Sequence, residues 1–556
     1  MNEIIQIFCK NTGKLIEVEA GASLIDVYEA AERPLKFPPM NAIVNNKVER
    51  LAYRCWMPKD VEFGDYTSLS GQRAYVRSLC HILSKATHDL MPDAMLCLEH
   101  PVSKGYYCTI RNDGQLVDRD ALARIKRRME EIVEDDIPFI YRTVRTPDAT
   151  ALFRSMGMTD KALLIETAGM VYTSYYELAG YANYFYGCLT PSTGYIGLFD
   201  LVPYFDGALL RIPQRTNPSE LEPLERQDKM FGVYKDSVLL LNALGVGTVG
   251  DLNKAVKEGR SREIILTSEA MQEKQIAHIA EDIAGRYVDG LRIVLISGPS
   301  SSGKTTFAHR LGVQLMTNYY HPFSLSLDDY FVDREDTPRD ETGDYDFESL
   351  YALDLKYFNS DLNKLLHGEE IAVPTYDFIT GKRCYKGKKL KLGDNSLLLI
   401  EGIHALNPEL TAHVDGRHIY KVYVSALTCI SLDNHNWIPT ADNRLLRRIV
   451  RDYRFRNYSP VQTIARWPSV RKGEERWIYP YQEEADSMFN SAMLYELAAL
   501  RQYAEPILAE VREDEREYAE AYRLLRFLRY FNFITDHELP GTSLLREFLG
   551  GGSFHI

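Results

Sequence analysis

A glycine-rich loop carries the clearest chemical signal in the sequence. Gly298-Pro-Ser-Ser-Ser-Gly303-Lys304-Thr305-Thr306 fits the pattern GxxxxGK[ST], between an apolar strand-like stretch at 291–297 and a helix-like stretch at 307–315. Such a loop points its N–H groups at phosphate oxygens. Lys304 would add positive charge for the β and γ phosphates, and the Thr305 hydroxyl can bind Mg²⁺.

The alternative to a phosphate loop is a Gly/Ser turn that fits the pattern by chance. Composition alone gives about 0.02 such matches in a chain of this size, so we expect a nucleotide site. The residues expected to contact ATP are Gly298, Ser300, Ser301, Ser302, Gly303, Lys304, Thr305 and Thr306.

Carboxylates follow two further apolar stretches. Asp328 and Asp329 come directly after 323–327, and Glu401 comes after 396–400. For one such acid alone, a helix cap or a solvated turn would be about as good an explanation. Two of them at strand ends beside a phosphate loop favour Mg²⁺ binding and proton transfer.

A basic segment follows at 444–476, with ten Lys and Arg against three Asp and Glu. Its first arginines, Arg444, Arg447, Arg448 and Arg451, have helical spacing. A solvated charged face is the ordinary explanation, and Trp467 and Trp477 keep an RNA-binding patch as a rival. Since the whole chain carries a net charge of −13, we expect instead a lid that closes on a triphosphate.

The elements that position these residues belong to a long, acidic chain. Its 556 residues predict about three or four domains, and its net charge argues against a protein that coats nucleic acid or anionic lipid. No secretory signal and no membrane-spanning stretch is evident, and the eight cysteines include no CxxC pair. These features predict a cytoplasmic protein without a membrane partner.

Changes in the pattern of apolar and polar residues along the chain predict four regions. Residues 1–65 show strand-like alternation and a helix with Ser23 as its N-cap, which favours a β-grasp-like module. Residues 66–213 read as an α+β unit, and 214–288 as a polar connector followed by helices. From 289 to 556, apolar strands alternate with helices, which predicts an α/β domain with a parallel sheet flanked by helices.

Between about 291 and 488 these motifs resemble the uridine kinase family of P-loop kinases, which includes phosphoribulokinase. Ser326-Leu-Asp328-Asp-Tyr-Phe331 is similar to the segment whose Asp is the general base for the nucleoside 5′-hydroxyl, so the resemblance assigns that role to Asp328 ahead of Asp329. Ile400-Glu401-Gly402-Ile403 is similar to the family's Phe-Glu-Gly-Ile and places Glu401 on the Mg²⁺ side. Mg²⁺ would thus lie between Thr305 and Glu401.

The same resemblance implies substrate contacts. Glu348, in Tyr345-Asp-Phe-Glu348, stands where the family has the acid that holds the ribose hydroxyls. Tyr376 and Phe378 match aromatics that line the nucleobase pocket, although without the neighbouring motif core packing would be the better explanation of such residues. Arg448 and Arg451 match lid arginines that contact phosphate, and Arg448 also reaches the substrate side.

One departure from the family concerns the acceptor. Uridine kinases have a His shortly after the Tyr-Asp-Phe segment that helps to read the pyrimidine edge, and 379–383 here is Ile-Thr-Gly-Lys-Arg. A lost base-reading hydrogen bond changes discrimination strongly. Another nucleoside or a sugar-like alcohol therefore stays open as the acceptor.

The front of the chain resembles two modules of threonyl-tRNA synthetase. Residues 1–65 are similar to the TGS domain, and Arg77–Ile110 together with Gly187–Gly194 is similar to the editing-type second domain. Two of that domain's four zinc ligands are replaced, by Arg77 and Ser192. We therefore expect His81 and Cys188 to be core residues and no Zn²⁺ hydrolase site.

Together these observations predict an ATP- and Mg²⁺-dependent nucleoside kinase that acts first on uridine or cytidine. In this prediction Asp328, Lys304, Arg448 and Arg451 are catalytic. A P-loop kinase with another alcohol as acceptor is the first alternative. An RNA-binding regulatory ATPase that holds tRNA through its front half is the second, and a homo-oligomer is left open.

Overall fold

The computed structural model describes residues 3–341, 343–377 and 380–554. Phe378, expected to line the nucleobase pocket, lies outside the described residues.

The first unit is a small mixed sheet with one helix. Its strand order is β2-β1-β7-β4-β5, and only the pair of β1 and β7 is parallel. The Ser23 hydroxyl accepts a hydrogen bond from the Asp26 N–H at 3.2 Å, which confirms the expected N-cap. The elements are β1 (Ile4–Cys9), β2 (Lys14–Glu19), β3 (Ala22–Ser23), α1 (Leu24–Ala30), β4 (Asn41–Val44), β5 (Lys47–Glu49), β6 (Arg54–Cys55) and β7 (Lys59–Gly64).

The second unit contains two antiparallel sheets and four helices. One sheet has the order β10-β9-β15-β14 with β8 on β9, and the other has the order β11-β12-β13. The elements are α2 (Leu69–Leu90), β8 (Met95–Val102), β9 (Gly105–Asn112), β10 (Gln115–Leu116), α3 (Arg119–Glu134), β11 (Ile140–Arg145), α4 (Thr146–Ser155), α5 (Thr159–Thr167), β12 (Tyr172–Leu178), β13 (Tyr181–Asn183), β14 (Asp200–Tyr204) and β15 (Gly207–Arg211).

A five-stranded parallel sheet with helices around it forms the third unit. Its order is β17-β22-β16-β23-β24, and every neighbouring pair is parallel. Every residue of β16 is buried, as expected for a strand covered on both faces. The strands of this unit, which include four short ones (β18 to β21) outside the five-stranded sheet, are β16 (Ile293–Ser297), β17 (His321–Ser326), β18 (Ile371–Ala372), β19 (Thr375–Asp377), β20 (Lys382–Cys384), β21 (Lys389–Leu390), β22 (Ser396–Glu401), β23 (Ile419–Ser425) and β24 (Ser487–Asn490).

The remaining helices surround this sheet or lead into it. Residues 214–226 carry no helix or strand, as a connector would, and three helices follow before the sheet begins. The helices are α6 (Asp228–Leu244), α7 (Val249–Lys257), α8 (Ser261–Arg286), α9 (Lys304–Thr317), α10 (Leu355–Leu366), α11 (Thr440–Phe455), α12 (Pro460–Trp477), α13 (Glu496–Ala509), α14 (Tyr518–Leu528) and α15 (Arg546–Leu549). Among the described residues, we find no helix of the length and apolarity that a bilayer crossing requires.

One hydrophobic core runs through regions that the sequence separates. It takes in Phe153 from the second unit, Leu252 and Ile276 from the helices after 226, and Leu399 from the parallel sheet. On α9, Arg310 donates hydrogen bonds to Gln272 and Glu273 of α8 at 3.1 and 2.7 Å. The helices within 214–288 thus pack as part of the body that holds the phosphate loop.

A buried ion pair also joins the second unit to the segment between β23 and α11. The ammonium group of Lys161 in α5 lies 2.7 Å from an Asp433 carboxylate oxygen, and both side chains are fully buried. Asp433 also accepts hydrogen bonds from the Asn436 amide and the His435 N–H. These donors add to the cost of losing the lysine, because they hold the carboxylate in place.

We predict that Lys161→Met lowers the free energy of unfolding by about 3 kcal/mol, because it leaves the Asp433 charge buried without its counterion. Urea unfolding monitored by circular dichroism gives the measurement. Arg154→Met is the control, since the exposed pair of Arg154 and Glu166 should contribute about 0.5 kcal/mol. Equal losses in the two variants would contradict the prediction.

Candidate active site

The phosphate loop joins the end of β16 to the start of α9. Gly303 has a φ of +86°, in the left-handed region that favours glycine, and a Cβ there would meet Leu544 at 2.5 Å. At Gly298 a Cβ would collide with the Val424 carbonyl oxygen. The helix expected over 307–315 begins earlier, at Lys304, because the loop turns directly into the first helical turn.

Arginines of α11 brace the loop from one side. Arg444 donates to the Ser300 carbonyl at 3.0 Å and Arg447 to the Ser301 carbonyl at 3.2 Å. The hydroxyl groups of Ser301 and Ser302 are buried and have no hydrogen-bond partner within the described parts of the chain. The loop therefore keeps polar groups that are free to bind a ligand.

Lys304 lies at the centre of the site. Its ammonium group donates to the carbonyl oxygens of Gly298 and Pro299, at 2.9 and 3.2 Å. Burial lowers the pKa of Lys304, and the nearby carboxylates of Glu401, Asp328 and Glu547 oppose that shift. Lys304 thus shares its surroundings with three acids.

Asp328 and Glu401 reach this place because β17 and β22 are parallel and end side by side. Ser326, the last residue of β17, pairs with Glu401 in register, and its hydroxyl donates to the Glu401 carboxylate at 3.0 Å. Burial and the charge of Asp328 raise the pKa of Glu401 to about 7. Asp328 is exposed to solvent, but the surrounding protein still raises its pKa, against the opposing effect of Lys304.

The carboxylate of Asp329 makes a different contact from that of Asp328. It accepts a hydrogen bond from the Tyr376 N–H at 3.2 Å and so ties β19 to the end of β17. Thr305 follows Lys304 in the first turn of α9, where its partly buried hydroxyl and the Glu401 carboxylate provide the hard oxygen ligands that Mg²⁺ prefers.

The first four arginines of α11 divide into two pairs. Arg444 and Arg447 are fully buried, the first in an ion pair with Glu474 and the second in one with Glu496. This part of the expected lid is therefore core, since its charges are neutralised inside the fold.

The other two arginines are more open. Arg448 and Arg451 both pair with Asp452, at 3.2 and 2.8 Å, and Arg448 also donates to the Ser300 hydroxyl at 3.0 Å. Arg448 and Arg451 are only partly buried, and they are the two arginines that the resemblance assigns to phosphate contact.

On the acceptor side, Glu348 and Tyr376 have different surroundings. Glu348 is partly buried; burial raises its pKa to about 7, while Arg448 acts in the opposite direction. Tyr376 is buried, with its ring 5.4 Å from that of Phe331. Tyr376 therefore belongs to the apolar core beneath the site, whereas Glu348 can face a ligand.

Sequence reasoning missed His404, three residues after Glu401. The side chain is buried, and neither ring nitrogen has a hydrogen-bond partner within the described ranges. The ring faces the main chain at Glu348 and Ser349, and burial lowers its pKa to about 4. The imidazole is thus neutral beside the acceptor side. Its nearness in sequence to Glu401 is the only signal that could have indicated it.

The residues that were compared with zinc ligands make other interactions. His81 is fully buried and stacks on Phe139 at 5.5 Å, and burial lowers its pKa to about 3. The Arg77 guanidinium lies against Gly187 and over the Tyr186 ring at 5.2 Å. Within 3–341, 343–377 and 380–554, no group of three or more His, Cys, Asp or Glu side chains could hold a metal ion.

Comparisons with known proteins concern mainly the part of the chain that holds this site. Residues 293–497 match the Phosphoribulokinase / Uridine kinase family. A uridine kinase from Staphylococcus aureus strain JH9 is 30% identical over 198 residues, which cover 35% of this chain and 84% of that relative. A uridine kinase from Borrelia duttonii is 28% identical over 222 residues, which cover 38% of this chain and 93% of that relative.

Two further similarities are weaker or shorter. A threonine–tRNA ligase from Rubrobacter xylanophilus is 29% identical over 189 residues, which cover 34% of this chain and 29% of the ligase. The solved structure of a possible uridine kinase from Bacillus stearothermophilus aligns with 36% of this chain and 89% of its own, with 22% identity and a TM-score of 0.25.

We predict that Glu401→Gln stabilises the free protein at pH 8 by on the order of 2 kcal/mol. The pKa of Glu401 rises from 4.5 to about 7 on folding, so folding takes up a proton and stability falls as the pH rises through this interval. The gain should therefore shrink towards pH 5. Urea unfolding at both pH values measures it, with exposed Glu369→Gln as control. A gain that does not depend on pH would contradict the assignment.

Proposed function

Because the chain belongs, through residues 293–497, to the phosphoribulokinase/uridine kinase family, we propose that it is an ATP- and Mg²⁺-dependent nucleoside kinase. It would transfer the γ-phosphoryl group of ATP to the 5′-hydroxyl of a nucleoside, with uridine and cytidine as the first candidates. The observation that carries this proposal is the meeting of Asp328 and Glu401 with Lys304 at the carboxyl ends of β17 and β22.

On the donor side, the phosphates would lie along the loop N–H groups. Lys304 would exchange its loop carbonyl partners for phosphate oxygens, and Arg448 and Arg451 would meet the charge that develops on the transferred group. Thr305 and Glu401 would hold Mg²⁺, which supplies further positive charge for the phosphate oxygens.

On the acceptor side, Asp328 would receive the proton of the attacking hydroxyl. The acceptor oxygen forms a bond to the γ-phosphorus, the bond from that phosphorus to the bridging oxygen breaks, and ADP leaves. The surrounding protein raises the pKa of Asp328, which makes its carboxylate a better proton acceptor than a fully solvated aspartate. Glu348 would hold sugar hydroxyls.

A different alcohol is the second candidate acceptor. Gly381 occupies the segment where uridine kinases have their base-reading His, and the Arg334 side chain lies where a Gly381 Cβ would be, at 2.8 Å. An arginine there suits an acceptor with more oxygen atoms than a pyrimidine edge presents, such as a sugar or a sugar phosphate.

A role in binding tRNA is the candidate from another class. Its support is the similarity to a threonine–tRNA ligase together with the synthetase-like motifs of the front half. Salt-sensitive gel shifts with total tRNA would support it, and the absence of a shift at low salt would remove it.

We predict that Asp328→Asn lowers kcat by about 10²-fold to 10⁴-fold with little change in ATP affinity, because the amide cannot accept the hydroxyl proton. A coupled assay of ADP release measures kcat, and equilibrium binding measures ATP affinity. Asp329→Asn is the matched control. The Asp329 carboxylate accepts a hydrogen bond from the Tyr376 N–H, so the variant should keep most of its turnover. Normal turnover by Asp328→Asn would exclude Asp328 as the base.

Glu348→Gln should raise KM for the best acceptor more than it lowers kcat, since Glu348 is proposed to hold hydroxyl groups rather than to move a proton.

We predict that, in a panel of nucleosides, sugars and sugar phosphates supplied with ATP and Mg²⁺, uridine and cytidine give the highest kcat/KM. Turnover of a sugar phosphate alone would move the assignment to the second candidate. No turnover of any acceptor would refute the kinase proposal.

A further inference from the structure

The carboxyl-terminal segment, residues 539–554, packs against the phosphate loop. Leu544 lies against Gly303, and the Phe548 ring lies 5.1 Å from the Arg447 guanidinium that braces the loop. Leu544 and Phe548 are fully buried. No motif in the sequence indicated this segment, and the family match ends before it, at residue 497.

Glu547 makes the closest polar contact between this segment and the loop. Its carboxylate accepts hydrogen bonds from the N–H and the hydroxyl of Thr306, at 3.2 and 2.7 Å. Gly303 precedes α9 as its N-cap and has no side chain to accept from these first N–H groups. The carboxylate of Glu547 therefore acts as the capping side chain at the start of α9.

Thr306 is one of the residues expected to contact ATP. A carboxylate oxygen and a phosphate oxygen seek the same donors at the start of a helix, so the two cannot both occupy the Thr306 N–H and hydroxyl. The negative charge of Glu547 also acts on Lys304 and on Glu401. An approaching phosphate group thus meets both a competitor for its donors and a repelling charge.

The backbone around Glu547 is held firmly. The neighbouring Arg546 guanidinium donates to the carbonyl oxygens of Asp536 and Leu539, both within 2.8 Å. Glu547 itself is only partly buried. Rotation of its side chain can therefore release Thr306 while the segment stays in place.

We propose that Glu547 is a further determinant of nucleotide binding, whose carboxylate competes with a phosphate group for Thr306. The proposal rests on the proposed function, because it takes the phosphate loop as the nucleotide site. It makes the affinity for a phosphate-bearing ligand depend on a residue 241 positions away in the chain.

The test compares ATP affinity in the full-length protein and in Glu547→Gln, by isothermal titration calorimetry. The glutamine keeps the shape and removes the charge, so the Kd for ATP should fall about tenfold. The Kd for adenosine should not change, because adenosine carries no phosphate. Glu538→Gln is the matched control: this exposed acid lies in the same region and changes the net charge equally.

Two further variants separate the outcomes. Glu547→Asp keeps the charge but withdraws the carboxylate by one methylene, so it should lower the Kd less than Glu547→Gln. Lys304→Ala should abolish ATP binding in either background, which tests the nucleotide site itself.

An ATP Kd within twofold of the parent in Glu547→Gln would overturn the competition and leave the kinase proposal standing. A higher Kd for ATP in Glu547→Gln would also overturn the competition, since Glu547 would then help to bind ATP. If neither the parent nor Glu547→Gln binds ATP, the proposed function and this inference fail together.

Discussion

The ammonium group of Lys304 lies among three carboxylates, those of Asp328, Glu401 and Glu547, and the rest of the site follows from this arrangement. Two of the acids arrive from neighbouring parallel strands and the third from the far end of the chain. Desolvation by the surrounding protein raises the pKa values of Asp328 and Glu401, the charge of Asp328 adds to the rise at Glu401, and the charge of Lys304 opposes both shifts.

The sequence allowed the centre of this site to be predicted because its signals are local. A strand, a glycine loop and a helix identify Lys304, and parallel strands deliver the residues after them to one edge of the sheet. Glu547 was beyond such reasoning, since only tertiary packing brings it to Thr306 across 241 positions. His404 was missed because one histidine in an apolar stretch has no periodicity or motif to mark it.

The basic segment shows a different limit of prediction. Its helical spacing was evident, and α11 is indeed a helix, but the spacing alone does not tell which arginines face a ligand. Glu474 and Glu496, which neutralise Arg444 and Arg447, come 30 and 49 positions later. Charge counting over a window assigned all four arginines to one role, whereas the fold buries two of them against the loop and leaves Arg448 and Arg451 only partly buried.

The shared core has a consequence for how this protein can be divided. Cutting the chain at residue 289 would remove α8, and with it the apolar side chains of Ile276, Ile279 and Ile283 that are buried in the core around the parallel sheet. It would also strip Lys161 from Asp433. The part of the chain after residue 289 therefore does not form a complete hydrophobic core by itself. Residues before it pack against the parallel sheet and belong to the same core.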